Sequence, residues 1–157
     1  MHRFILGLLF SCSISLGYGV AEVERLEWLL DACEPHEVIN RVGNHLLIEF
    51  NGCVQSDPAP ELVEALLFVA VHRMNATLLE IKMHVFPGGG LTAIAFLAES
   101  HISIHTWPEH KYVAADIFSC GEGVDITEGM MTLANFFRPK DVHYAKVERG
   151  HKVDEEE

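Results

Sequence analysis

Between Leu91 and Ser119 the chain carries three strand-like runs in close succession, and the breaks between them constrain its fold more than any other feature. Leu91 to Leu97 is nearly all apolar and partly β-branched, His101 to Thr106 alternates polar with β-branched residues, and Tyr112 to Ser119 (YVAADIFS) is apolar again. Pro108 cannot donate to a ladder and should end the second run. The Glu99-Ser100 step then falls at a tight connection between two paired strands. In the second strand the period of two sets His101, Ser103 and His105 on one face and Ile102, Ile104 and Thr106 on the other. One face is chemically equipped and the other reads as core. If the second and third strands are antiparallel neighbours, Cys120 returns toward the end where Ser100 sits. A Glu-Ser bond to break, histidines as bases and a thiol as acid would then be available together.

The remaining chain organises around these strands. Glu22 to Cys33 (EVERLEWLLDAC) has apolar residues at 23, 26, 29 and 30, which is helical spacing, and Pro35 breaks it. A strand is expected over 45–50 (HLLIEF). Asp57 and Pro58 introduce a helix from about 59 to 74, Thr127 is placed to cap a helix running to Phe137, and Val142 to Val147 closes as a strand. After the leading helix the predicted order is β-α-β-β-β-β-α-β. This implies an α+β two-layer sandwich, an antiparallel sheet with helices on one face. The other face of such a sheet must also be covered.

The segment ESHISIHTWPE at 99–109, DIFSCG at 116–121 and HLLIEF at 45–50 together resemble the short prokaryotic type of S-adenosylmethionine decarboxylase proenzyme, in order, spacing and chemistry. The resemblance covers roughly residues 43–150. It implies self-cleavage between Glu99 and Ser100: the serine hydroxyl attacks the preceding carbonyl, the ester undergoes elimination, and Ser100 becomes a pyruvoyl group at the head of residues 100–157. That group is the implied cofactor. Its ketone forms a Schiff base with the substrate amine and accepts the electrons left by CO₂, the service pyridoxal phosphate performs elsewhere.

By the same resemblance His105 is the processing base and Cys120 the proton donor. Thr92 lies where the family commonly has a serine that assists processing, with Ala93 in place of the usual glycine. Phe86 matches an aromatic that stacks on adenine, and Glu109 a carboxylate that binds the ribose hydroxyls. The implied assembly is a homodimer of cleaved αβ units, a four-layer αββα arrangement with active sites near the interface. The implied reaction converts S-adenosylmethionine to its decarboxylated form and CO₂, for spermidine biosynthesis. The glycine-rich stretch HVFPGGGLTA at 84–93 reads as a loop beside the pocket. Related pyruvoyl proteins act on arginine or ornithine, and a non-catalytic ligand-binding or partner-binding relative is the alternative of a different class.

Other readings are narrower. His101 reads as packing or local hydrogen bonding, and Cys53 and Cys33 as small buried hydrophobes. His101 and His105 share one face only on a helix; on a strand they stand about 13 Å apart. With no CxxC pair or HExxH helix, no metal site is expected. A net charge of −12 argues against a nucleic-acid partner and suits a cationic substrate.

Four segments follow: an apolar, signal-like or anchor-like stretch over 1–21, a helical extension over 22–42, the decarboxylase-like domain over 43–150 and an acidic tail over 151–157. Residues 4–21 carry no charge and end in Gly19-Val20-Ala21, the outline of a signal peptide or short anchor. Relatives of this kind work in the cytoplasm, so the localisation stays open.

Overall fold

The computed structural model describes residues 40–151. Elements follow in the order β1 (Asn40–Asn51), α1 (Pro60–Arg73), β2 (Leu78–Val85), β3 (Leu91–Leu97), β4 (Ser100–Trp107), β5 (Tyr112–Ser119), α2 (Ile126–Phe137) and β6 (Asp141–His151), with one 3₁₀ turn, Pro108–His110, between β4 and β5. The expected order therefore holds. The helix expected over 22–33, Cys33, the apolar segment 1–21 and the tail beyond His151 lie outside the described residues.

All six strands form one sheet in the order β2-β3-β4-β5-β1-β6, and every pairing is antiparallel. Consecutive β2 to β5 form a meander because short turns can join only antiparallel neighbours. The first turn, between β2 and β3, needs its glycines: Gly90 has φ +83°, and a Cβ there would lie 2.7 Å from the Thr106 carbonyl oxygen. The next turn is Ala98-Glu99 alone, since Leu97 pairs with Ser100.

Alternation decides which face is core. Leu46, Ile48 and Phe50 of β1, Ala93 and Ala95 of β3, Ile102 and Ile104 of β4, and Val113, Ala115 and Ile117 of β5 are buried toward the helices. There they meet Val63, Leu67, Ala70 and Met74 from α1 and its C-cap, and Leu133 and Phe137 of α2. Each large aliphatic or aromatic side chain buried this way contributes about 1.5–3 kcal/mol before conformational entropy is counted. Thr106 shares this face as expected, and its hydroxyl is satisfied by accepting from the Leu91 N–H at 3.0 Å. Cys53 is also buried as expected; its thiol donates to the Phe50 carbonyl, and burial pushes its pKa up.

Boundaries and caps differ from expectation: β4 runs from Ser100 to Trp107 rather than 101–106, and residues 40–42, expected in the helical extension, open β1. β1 and β6 outrun the predicted 45–50 and 142–147 because they pair with each other over nearly their whole length, where the sequence carries no continuous apolar signal. His151, expected in the tail, is the last residue of β6. Thr127 does not cap α2; Asp125 does, its carboxylate accepting from the N–H groups of Thr127 and Glu128 at 2.9 and 3.2 Å. A carboxylate at that place also meets the positive end of the helix dipole. At α1 no side chain caps the first turn, and Pro60 occupies the first helical position, where its missing N–H costs nothing.

Candidate active site

The Glu99-Ser100 junction is held from several sides. The Ala98 N–H donates to the Thr77 carbonyl, and the Thr77 N–H donates back to the Glu99 carboxylate, both at 2.9 Å. This second bond, the larger influence, lowers the Glu99 pKa. The Glu99 stem lies flat on Gly121, where an added Cβ would come within 2.6 Å of Glu99 Cγ. The Glu99 carbonyl oxygen receives two donors from one residue: the Cys120 N–H at 2.9 Å and the Cys120 thiol at 3.1 Å. Beside them opens a polar cleft of about 390 Å³, with Asn44, Ser119 and Cys120 in its wall.

Ser100 itself is strained. Its φ of 139° lies where a residue with a Cβ is rarely found, a conformation that costs of order 1–3 kcal/mol and persists only when its surroundings impose it. Strand alternation would put Ser100 and His101 on opposite faces. The unusual φ instead brings the Ser100 hydroxyl to the ring of its neighbour, where Oγ and His101 Nδ1 share a hydrogen bond of 3.1 Å. The expectation of a local hydrogen bond for His101 holds, and its partner is the candidate nucleophile.

A second cluster lies at the other end of β4. Thr92 and His105 are cross-strand partners, and Thr92 Oγ1 shares a 2.9 Å hydrogen bond with His105 Nδ1. Both open onto a cleft of about 290 Å³ lined also by Phe86, Gly89, Trp107 and Glu109. Trp107 stacks near His105 and Tyr112, with centroids 6.2 and 5.2 Å away. Tyr112 donates to Glu49, and its pKa is pushed up to about 12, first by burial and then by that bond. The volume lies close to the lower end of the usual ~300–1,000 Å³ of a ligand pocket.

These two clusters do not meet. Five residues of extended strand separate Ser100 from His105, about 16 Å at ~3.3 Å per residue. Ser100, His105 and Cys120 were expected as one constellation; the structure joins Ser100 to Cys120 and His105 to Thr92, at opposite ends of one strand. Strand period fixes which face a residue occupies, and the rise per residue sets how far apart two residues on that face stand.

Both clusters border the sheet face that carries no helix. Between them Ser103 donates to Asp116 at 2.9 Å, and His45 packs edgewise against Phe118 and His101, with centroids 5.4 and 6.3 Å away. His45 Nε2 is buried 3.6 Å from Asp116 Oδ1, beyond hydrogen-bond reach. Burial lowers the His45 pKa, with Asp116 pulling the other way. Leu47, Phe96, Trp107 and Val147 stand on this face, each about 40 % exposed.

The sequence profile described as S-adenosylmethionine decarboxylase matches residues 44–150, from within β1 to near the end of β6, a span that carries both clusters. The chain belongs to that family. A S-adenosylmethionine decarboxylase proenzyme from Methanococcus vannielii is 43% identical over 114 residues, 71% of this chain and 93% of the relative. A proenzyme of the same name from Thermomicrobium roseum is 40% identical over 114 residues, 72% and 97% of the two chains. The crystal structure of the adenosylmethionine decarboxylase from Aquifex aeolicus superposes with a TM-score of 0.67 at 33% identity, covering 75% of this chain and 98% of that one.

Within this S-adenosylmethionine decarboxylase fold, several residues around the site escaped the sequence reading. Thr77 acts through its backbone and left no side-chain signal. Gly121 had one, a glycine directly after the cysteine. Trp107 lies inside the quoted motif, between residues that the resemblance assigns a role.

Proposed function

We propose that this chain is a self-processing S-adenosylmethionine decarboxylase whose cofactor is a pyruvoyl group made from Ser100. The observation that carries the proposal is the junction itself: a strained serine whose preceding carbonyl oxygen is held by two donors. Attack of Ser100 Oγ on the Glu99 carbonyl carbon forms a C–O bond as the C–N bond breaks, and the hydroxyl proton ends on the freed amine. The Cys120 N–H and thiol point at the oxygen that gains charge, the arrangement of an oxyanion hole. A base then removes the Ser100 Cα proton, and the Glu99 carboxylate leaves. The dehydroalanine tautomerises to an imine, and water releases ammonia, leaving the ketone.

Residues already in place fit a group generated there. Once formed, it supplies an electron sink for the substrate's α-carbon during loss of CO₂. Cys120 stands beside that position with a thiol proton to give, while Phe86, Trp107 and Glu109 offer an aromatic surface and a carboxylate suited to an adenosine. Arginine and ornithine have no such moiety, so S-adenosylmethionine is the better match. A non-catalytic relative would have no use for the paired contacts at Ser100, Cys120, Thr92 and His105.

The working unit is a homodimer. Thr92 and His105 cannot reach Ser100 within one chain, whereas two sheets packed face to face about a two-fold axis bring the His105 end of one copy to the Ser100 end of the other. The same packing covers the exposed apolar residues of the open face.

Intact mass tests the proposal. Purified protein is expected as two fragments divided between residues 99 and 100, the fragment 100–157 carrying a terminal carbonyl that hydroxylamine modifies; Ser100→Ala stays whole. CO₂ release measured side by side is expected from S-adenosylmethionine and not from arginine or ornithine. A wild-type chain that stays whole and carbonyl-free would refute self-processing.

A further inference from the structure

We propose that His101 is the catalytic base of the first processing step, the attack of Ser100 on the Glu99 carbonyl. The inference rests on the self-processing reading above and assigns that reaction a residue it lacked. Three observations carry it. His101 Nδ1 shares a 3.1 Å hydrogen bond with Ser100 Oγ, the atom that must lose a proton. That contact accompanies the rare φ of 139° at Ser100, the residue whose amide bond is to be broken. The His101 ring is held in place by the Phe118 ring at 6.1 Å and the His45 ring at 6.3 Å, so the imidazole is fixed against the hydroxyl.

The proton balance closes locally. As Oγ bonds to the Glu99 carbonyl carbon, its proton passes to His101 Nδ1; as the C–N bond breaks, the same proton passes to the departing Ser100 nitrogen. His101 ends neutral, Ser100 ends as an ester with a free amine, and no other reactant is consumed. Processing then divides between two histidines: His101 forms the ester within its own chain, and His105, about 16 Å away along the strand, serves the later elimination. His45 on β1 packs against His101; Asp116 on β5 and Arg149 on β6 lie against His45, and Glu99 and Cys120 meet beside Ser100.

Precursor made by cell-free synthesis and followed by intact mass tests this, with hydroxylamine added to cut any ester. His105→Ala is expected to accumulate a hydroxylamine-cleavable ester at the wild-type rate. His101→Ala is expected to form that ester at least about 100-fold more slowly, with added imidazole restoring much of the rate. His101→Asn keeps a polar atom near the Nδ1 position without a proton-accepting ring, so it guards against a folding defect and is expected to be as slow as the alanine variant. Ester formation at the wild-type rate in His101→Asn, or in a folded His101→Ala, overturns the proposal. Absence of both ester and cleavage in the wild type and in His105→Ala would instead overturn self-processing itself.

Discussion

Cys120 makes both of its hydrogen bonds to a single atom, the Glu99 carbonyl oxygen, and under the proposed function this assigns the residue two duties. The resemblance assigns its thiol one role, the proton donor of turnover, which by itself would leave cleavage untouched. The geometry predicts otherwise: Cys120→Ala leaves the N–H in place but deletes the second donor. Ester formation is expected to slow about ten-fold, less than the 10²–10³ typical of a lost oxyanion-hole donor because the N–H remains, while decarboxylation falls much further. Single-turnover cleavage followed by CO₂ release separates the two effects, and an unchanged cleavage rate would limit the thiol to turnover. His45 carries a separate prediction. Burial lowers its pKa, so the fold favours the neutral ring; the stability this contributes is complete above the unfolded value of 6.5 and is lost as pH falls through the lowered folded value. The denaturant midpoint of wild type is therefore expected to drop between about pH 7.5 and about pH 5 more steeply than that of His45→Gln. Equal slopes would place the acid sensitivity elsewhere.

At the scale of elements, the parts that sequence made legible are those with a strong local pattern. The runs 91–97 and 112–119 were bounded to the residue because apolar alternation ends where turn residues begin. The extensions of β1 and β6 were invisible, since their outer residues are polar and are held by pairing with each other. The start of α2 was misjudged by two residues because Asp125 and Thr127 are both good capping types, and only the path of the loop from Gly121 decides between them. Asp125→Ala is accordingly expected to cost about 1 kcal/mol and lower Tm by a few degrees, about 3–5 °C, whereas Thr127→Ala should change Tm little. Thermal melts of the two variants in a Ser100→Ala background, which removes processing as a variable, check this. A larger loss from Thr127 would reverse the assignment.

At the scale of the whole molecule, the sequence named the reactive residues without showing that one chain keeps them apart. A one-dimensional motif lists Ser100 and His105 five positions apart, and that closeness in sequence becomes about 16 Å in an extended strand. The homodimer proposed above divides the site between two copies, and that proposal can be tested by mixing defects. A chain with His105→Ala retains Ser100 and Cys120 but lacks the histidine of the Thr92 cluster; a Ser100→Ala chain retains that histidine but has no hydroxyl to attack the Glu99 carbonyl. Alone, the first is expected to stall as ester and the second to stay whole. Expressed together with distinguishable tags, they form mixed dimers in which the intact His105 of one copy faces Ser100 of the other, and the His105→Ala chain is expected to complete cleavage while its partner remains whole. The amount cleaved should follow the fraction of mixed dimers measured by native mass spectrometry. A His105→Ala chain that completes cleavage alone, or one that stays stalled inside demonstrated mixed dimers, would show that the two clusters do not complete each other across the open face of the sheet.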